Sequence, residues 1–186
     1  WKDYAVDLRE PQTLQELLDR IAPVEEDEIP EVEEGEPTSK VGEVYQLGRH
    51  RLMCGDSTKV EDIDKLMDGN KADMVFTDPP YGVDYEGKTK KKLKIQNDSE
   101  ENDMNQLWLL AFENMRELLK DGGVFYCCSS QGGEMMMMMQ NLFEAGFLVK
   151  QQIIWRKNTI VMGHSDYQFQ HEPIFYGWKK SSTHKF

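Results

Sequence analysis

A buried-strand pattern that ends in two prolines limits how this chain can fold. Residues 72–76 read Ala-Asp-Met-Val-Phe and are followed by Thr-Asp-Pro-Pro-Tyr at 77–81. Proline fixes φ near about −65° and keeps the preceding residue out of helical conformations, so the strand has to end in a stiff turn. The turn carries a hydrogen-bond acceptor in Asp78 and an aromatic face in Tyr81. Ligands of open α/β sheets bind beyond the carboxyl ends of strands, so the turn is either a binding site or a rigid connection without chemistry.

Strand and helix patterns alternate on both sides of this turn. The predicted strands are 44–47, 50–54, 72–77, 124–128, 147–155 and 174–178, and the predicted helices are 60–67, 103–120 and 135–145. Such alternation is typical of an α/β fold with helical crossovers between parallel strands. We therefore predict a mainly parallel sheet that ends in a C-terminal antiparallel hairpin.

The negative charge of the chain is concentrated in one segment. The formal net charge is −12, and residues 25–36 hold eight acidic residues and no basic one, which leaves −4 for the rest. Such a segment cannot bury enough apolar surface to offset its ordering entropy. We predict a flexible acidic linker at 25–40, preceded by a helical segment at 1–24 in which Thr13–Glu16 has the capping-box pattern. Because the charge is so localised, it does not by itself exclude a polyanionic partner.

Other whole-chain features argue against several classes of protein. No apolar stretch reaches the length of a membrane span and no signal peptide opens the chain, so we expect a soluble cytoplasmic protein without a membrane partner. The three cysteines, Cys54, Cys127 and Cys128, have neither disulfide nor zinc-site spacing. We expect no metal site.

Four motifs occur in a fixed order over most of residues 41–180: His50–Asp56, Ala72–Tyr85, Ile153–Lys157 and His171–Lys179. In these motifs the chain resembles the amino-methylating DNA methyltransferases, in particular the permuted group whose catalytic half precedes the cofactor-anchoring half. The pattern is similar to phage and bacterial members that carry a ParB-like domain upstream of an acidic linker. The resemblance implies a partial Rossmann-like sheet and an enzyme that uses S-adenosyl-L-methionine to methylate a base of double-stranded DNA.

The resemblance places the catalytic role on Asp78, Pro79, Pro80 and Tyr81. The Asp78 carboxylate and the Pro79 carbonyl would each accept one hydrogen of an exocyclic amine and so aim its lone pair at the methyl group. The base would be flipped out of the duplex and stacked on Tyr81. Asp rather than Ser at the first position favours the N6 amine of adenine, with the N4 amine of cytosine as the alternative.

Cofactor and base contacts are expected elsewhere in the motifs. Gly55 and Asp56 resemble the family motif near the adenine ring of the cofactor, where Asp56 should end a strand beside the catalytic one, and Asp78 belongs to the same cofactor-binding set. From the pair His171-Glu172 we select His171 as a base-pocket residue, together with Trp155. For His171 and Trp155 alike, a structural role in organising the hairpin remains an alternative.

The loop after the turn contains the densest basic cluster of the chain, formed by Lys88, Lys90, Lys91, Lys92 and Lys94. Clusters of like charge are usually exposed to solvent and have no binding role. Phosphate contacts supply most nucleic-acid affinity, so a position next to a DNA-receiving site makes contact with the DNA backbone an equal alternative.

The family places a target-recognition region and a glycine-rich cofactor loop after the hairpin, and neither pattern is found in this sequence. We therefore expect residues 41–186 to be the catalytic half of a methyltransferase, inactive alone and weak in binding S-adenosyl-L-methionine. A homodimer is expected for a complete enzyme, in a restriction-modification or a phage or orphan setting. The alternative is a non-catalytic remnant or interaction module of the same fold.

Overall fold

The computed structural model of the chain describes residues 39–83, 86, 98, 103–161, 166–181 and 183–184. The predicted N-terminal helical segment, the acidic stretch at 25–36 and the lysine cluster at 88–94 lie outside the described residues. None of the helices in the described part of the chain is long and apolar enough to cross a membrane.

The described elements follow one another in the order β1, β2, α1, β3, α2, β4, α3, β5 and β6. Their bounds are β1 Val44–Leu47, β2 His50–Met53, α1 Val60–Met67, β3 Ala72–Thr77, α2 Met104–Leu118, β4 Leu119–Cys128, α3 Gly133–Glu144, β5 Phe147–Val161 and β6 Phe169–Lys179. The sequence predictions for β1, α1 and β3 match these bounds residue for residue.

Two sheets are present among the described residues. β1 and β2 form an antiparallel pair of their own, and the other four strands form a mixed sheet in the order β3-β4-β6-β5. β3 runs parallel to β4, whereas β6 is antiparallel to both of its neighbours. The predicted α/β class, with parallel strands and a C-terminal antiparallel hairpin, is confirmed.

The core lies between the four-stranded sheet and the helices α2 and α3. The strand residues Phe125 and Cys127 have no exposed surface, since alternate residues of a strand face the same side and this side is covered by both helices. Fully buried helix residues on this side are Trp108, Phe112, Met138 and Leu142. Burial of several large apolar side chains, each contributing about 1.5–3 kcal/mol, holds β4 at the centre of the fold.

The fourth strand begins five residues earlier than the sequence pattern predicts. The sequence pattern predicts a helix up to residue 120, followed by Asp-Gly-Gly at 121–123 and then a strand, but the chain is already extended from Leu119, which pairs with Ala72. Leu119 is 1% exposed. The register shifts between Ala72 and Met74, so the glycines lie within an irregular part of β4 and do not precede it. Burial of Leu119 explains why tertiary packing overrides the local turn signal.

The hairpin of β5 and β6 is also longer than predicted. Cys128, the last residue of β4, pairs with Ile174 on β6, which in turn pairs with Ile153 on β5. Beyond these residues the two strands pair only with each other among the described residues, over 154–161 and 169–173. We call this two-stranded extension the hairpin arm. It projects past the end of β4, on the side where β3 ends in the Asp-Pro-Pro-Tyr turn.

Candidate active site at the Asp78–Tyr81 turn

The turn begins at the carboxyl end of β3. Thr77 is paired in parallel with Cys127, so Asp78 lies alongside Cys128 at the edge of the sheet where both strands end. Asp78 is exposed, whereas Pro79 and Tyr81 are half-buried. The carboxylate therefore faces solvent while the residues behind it pack on the protein.

Two buried side chains hold the turn from behind. The indole Nε1 of Trp108, a residue only 1% exposed, donates to the carbonyl of Pro80 at 2.9 Å. The carboxylate of Asp98, 2% exposed, accepts from the amides of Gly82 at 2.6 Å and Val83 at 3.3 Å. Buried polar groups of this kind fix geometry because losing a partner leaves the other unsatisfied.

The backbone after Tyr81 is fixed sterically as well. Gly82 has φ +75°, and a Cβ atom added there would lie 2.7 Å from Cγ of Met104. No other residue type fits this position without displacing the first residue of α2. The turn is thus locked between its own prolines and the amino end of that helix.

Tyr81 links two carboxylates. Its hydroxyl donates to Oδ1 of Asp78 at 2.6 Å, and Oε1 of Glu172 on β6 lies 3.2 Å from the same hydroxyl. Burial, followed by the hydrogen bond to Asp78, raises the pKa of Tyr81 far above its usual range. The phenol therefore stays a neutral donor at physiological pH. Glu172 also forms a close ion pair with Lys157 of β5, whose ammonium lies 4.6 Å from the ring centroid of Trp155.

A cavity of about 220 Å³ opens between the turn and the hairpin arm. Its lining combines aromatic rings with hydroxyl, amide and charged groups, contributed by Tyr81, Ser129, Ser130, Gln131, Lys157, Phe169, His171 and Glu172. The rings of Phe169 and His171 meet edge to face with centroids 5.9 Å apart. This mixture suits a flat ligand with a few polar edges.

The structure separates the two predicted base-pocket residues. His171 lines the cavity, and its carbonyl accepts from Nε2 of Gln131 at 2.9 Å. Trp155 is absent from the lining and is 52% exposed. Glu172, the neighbour of His171, contacts Tyr81 directly and lies closer to the chemistry of the turn than the sequence suggested.

The Gly55-Asp56 motif lies in a different setting from the one predicted. Asp56 was expected to end a strand beside β3, but β2 pairs with β1 in the separate sheet, so this expectation is wrong. The Asp56 carboxylate accepts from the hydroxyl of Thr58 at 2.7 Å and from its amide at 3.0 Å. These bonds, the hydroxyl first, hold the pKa of Asp56 below its usual range. The described contacts make Asp56 part of a local turn before α1.

Three possible metal ligands lie together at the turn. One ligand atom each of Asp78, Cys128 and Glu172 falls within 4.8 Å of the other two. The Asp78 carboxylate already accepts a hydrogen bond from the Tyr81 hydroxyl, and the Glu172 carboxylate is paired with the Lys157 ammonium. Burial, with the nearby Asp78 charge as the second cause, raises the pKa of Cys128 to about 11, which keeps the thiol protonated at neutral pH. Hydrogen bonds and an ion pair thus engage two of the three groups.

The sequence alone did not identify Trp108 or Asp98 as parts of the site. Trp108 follows the apolar pattern of α2, which predicts core packing and gives no sign of its bond to Pro80. Asp98 lies sixteen residues after Gly82 in a polar stretch. The sequence around Asp98 carries no local signal that its carboxylate lies against the amides of Gly82 and Val83.

Comparison with known proteins gives one family and several related structures. The family model described as DNA methylase matches residues 72–186. The crystal structure of M1.HpyAVI in complex with SAM aligns with a TM-score of 0.45 and 21% identity, covering 69% of this chain and 54% of that one. The structure of TTHA0409 from Thermus thermophilus aligns with a TM-score of 0.47 and 16% identity, covering 71% of this chain and 55% of that one. The chain thus spans about half the length of these structures. No curated protein sequence matches it.

Proposed function

This chain belongs to the DNA methylase family, and we propose that its Asp78–Tyr81 turn directs methyl transfer to the N6 amine of an adenine flipped out of double-stranded DNA. One observation carries the proposal. The Asp78 carboxylate is exposed beside a cavity with aromatic walls, while buried groups hold the turn from behind. A stiff acceptor next to a flat pocket is the arrangement that amine activation requires.

Some hydrogen-bond acceptors of the turn are used within the protein, and others are left for a ligand. The Pro80 carbonyl is used by Trp108, and Oδ1 of Asp78 is used by Tyr81. Within the described residues the Pro79 carbonyl accepts no hydrogen bond. The second oxygen of Asp78 and the carbonyl of Pro79 are therefore the acceptors for two amine hydrogens.

Two such hydrogen bonds would change the electronic state of the amine. The lone pair of an adenine amine is delocalised into the ring, which makes the nitrogen a poor nucleophile. Acceptance of both hydrogens draws the nitrogen toward tetrahedral geometry and localises that lone pair. Positioning and preorganised hydrogen bonds of this kind can supply several kcal/mol of a barrier, about 7–11 kcal/mol at the upper limit for orientation.

S-adenosyl-L-methionine supplies the methyl group in this proposal. The described residues fit a base better than they fit this cofactor, because the cavity of about 220 Å³ is smaller than the roughly 300–1,000 Å³ of most ligand sites. The Asp56 carboxylate is moreover engaged by Thr58. We infer that these 186 residues bind the cofactor weakly, and a role of Gly55 and Asp56 toward it remains a prediction.

The DNA contacts are proposed on both sides of the turn. The flipped base would lie against Tyr81 and the cavity wall formed by Phe169 and His171, where stacking contributes about 1–3 kcal/mol against the cost of flipping. The lysine cluster at 88–94 would bind phosphates. A homodimer, an upstream ParB-like domain, a restriction-modification or phage setting and a cytoplasmic location stay predictions from the resemblance.

Removal of the Asp78 carboxylate tests this function. Asp78→Ala should lower methyl transfer to duplex DNA by at least about a hundredfold, the usual effect of losing one preorganised charge-stabilising group. Labelled S-adenosyl-L-methionine and DNA that contains many sequence contexts give the readout, with the 186-residue chain and with any longer natural protein that contains it. Digestion of the product to nucleosides separates N6-methyladenine from N4-methylcytosine.

Asp73→Ala is the matched control, because Asp73 is an exposed carboxylate on the same strand whose contact is a surface ion pair with Lys120. It should leave transfer unchanged. Full activity of Asp78→Ala would contradict the assigned role. Absence of transfer from every unsubstituted form would favour the non-catalytic module instead.

A further inference from the structure

Among the described residues, one hydroxyl in the wall of the cavity has no hydrogen-bond partner. Oγ of Ser130 is buried and makes no hydrogen bond within the described residues, and Ser130 lines the cavity between the turn and the hairpin arm. A buried polar group without a partner costs about 1–3 kcal/mol, and native proteins keep few of them. An unsatisfied hydroxyl at a cavity wall is the expected state of a group that is completed by a ligand.

The preceding residue provides a direct contrast. Ser129 lines the same cavity and is 1% exposed, but its hydroxyl donates to the Ser130 carbonyl at 3.0 Å and its amide donates to the Pro173 carbonyl at 3.0 Å. Both hydrogen bonds of Ser129 thus go to backbone carbonyls of the protein itself. The two adjacent serines line the same cavity, but only the Ser129 hydroxyl is used in a hydrogen bond among the described residues.

Several other polar groups of the lining are already engaged. The Glu172 carboxylate binds Lys157 and lies within hydrogen-bond distance of Tyr81, and the Gln131 amide donates to the backbone of His171. Their contacts would have to break before they could bind a ligand. Among the described residues the Ser130 hydroxyl has no hydrogen bond that would have to break first.

The sheet brings Ser130 to the same edge as Asp78. Because Thr77 pairs with Cys127 in a parallel register, the chain leaves both strands side by side, and Ser130 follows three residues after Cys127. Tyr81 bridges the two positions, since it lines the cavity and its hydroxyl lies 2.6 Å from Asp78. A ring held by its amine at Asp78 would extend past Tyr81 into the cavity.

We propose that the Ser130 hydroxyl donates a hydrogen bond to the ring nitrogen bonded to the amine-bearing carbon of the target base. This inference rests on the proposed function and assigns to Ser130 a role in selecting the base. The ligand class is a heteroaromatic ring with an exocyclic amine next to a ring nitrogen. N1 of adenine and N3 of cytosine both meet this description. Thymine has no exocyclic amine, and in guanine N1 carries a hydrogen, so that only N3, on the other side of the amine-bearing carbon, could accept.

Binding of nucleosides to the 186-residue chain tests the proposal without any requirement for activity. Affinities of 2′-deoxyadenosine, 2′-deoxycytidine and 1-deaza-2′-deoxyadenosine, which lacks N1, are measured by titration followed by NMR. Ser130→Ala should weaken 2′-deoxyadenosine binding about threefold to tenfold, the value of one net hydrogen bond. The 1-deaza compound should bind the unsubstituted chain with the same reduced affinity and should gain nothing from the serine. The two natural nucleosides distinguish adenine from cytosine as the ligand.

Ser181→Ala is the control, because Ser181 is an exposed serine after β6 that does not line the cavity, and it should leave nucleoside affinity within about twofold. Ser130→Ala should leave the melting temperature unchanged or raise it. Equal effects of the two substitutions on affinity, undiminished binding of the 1-deaza compound, or absence of saturable binding of every nucleoside would overturn the proposal.

The two proposals fail in different ways. If Asp78→Ala abolishes transfer while the deaza compound binds normally, the methylation function stands and the role of Ser130 is wrong. If binding depends on Ser130 while transfer does not depend on Asp78, the cavity binds bases but the proposed function is wrong.

Discussion

Two segments that carry family motifs differ in how they are attached to the protein. The segment from β1 to α1, residues 44–67, contains Gly55 and Asp56 and has no buried residue in either strand or in the helix. The turn at Asp78–Val83 is bonded to Trp108 and Asp98, both almost completely buried. The first segment is joined to the rest by surface contacts such as the bond from Nδ2 of Asn114 to the Ser57 carbonyl.

The difference shows that a motif match does not predict rigidity. Side chains of the first segment form hydrogen bonds mainly within that segment. Arg51, for example, donates to the carbonyls of Leu66 and Lys65. The groups behind the turn come instead from distant parts of the chain, namely Trp108 of α2 and Asp98. Because local opening costs little where few apolar groups are buried, we expect the first segment to open more readily than the turn.

The largest expected difference concerns apolar side chains. Trp108→Ala should lower the free energy of unfolding by about 3–5 kcal/mol, because it leaves a cavity in the core and removes the donor to Pro80. Ile63→Ala in α1 should cost less than about 2 kcal/mol, the lower limit for a fully buried isoleucine. Chemical denaturation measures both. Trp108→Phe keeps most of the ring volume and isolates the hydrogen bond, and comparable losses for Trp108→Ala and Ile63→Ala would contradict the contrast.

Two glycines with positive φ separate backbone strain from steric overlap. Gly82→Ala should lower the free energy of unfolding by about 2–4 kcal/mol. The left-handed conformation is unfavourable for alanine by about 1–2 kcal/mol, and the new methyl group would overlap Met104. Gly48 has φ +61° with nothing within 4 Å of the Cβ position, so Gly48→Ala should show the backbone cost alone. Unfolding experiments on both variants test this. Equal losses of stability in the Gly82 and Gly48 variants would mean that Met104 moves aside freely and that the turn is less tightly held than described.

The smallest expected effect compares two carboxylates that accept from backbone amides. Asp98→Ala leaves the amides of Gly82 and Val83 without this acceptor and should cost about 1–3 kcal/mol, with faster hydrogen exchange at both. Asp62 accepts from the Asp56 amide at 2.8 Å in a less buried setting. Asp62→Ala should therefore cost less, and exchange should change only near Asp56. Unchanged protection at Gly82 and Val83 in the Asp98 variant would show that other contacts fix the turn.

The sequence was sufficient for the local features of this protein. The proline pair ends β3 because its ring geometry acts within the chain, and apolar periodicity predicts α1 and α2 to within two residues of their bounds. The alternation of elements gives the α/β class for the same reason, since hydrophobic faces have to be buried against each other. The position of Asp78 at a sheet edge follows from these local rules.

Tertiary structure alone decided what surrounds that turn. Strand pairing separates Asp56 from β3, burial of Leu119 extends β4 through its glycines, and the length of the hairpin brings Glu172 to Tyr81. The unpartnered hydroxyl of Ser130 likewise becomes visible only when the described neighbours of the cavity are in place. Contacts between residues distant in sequence depend on register and packing, and neither leaves a periodic signal in the chain.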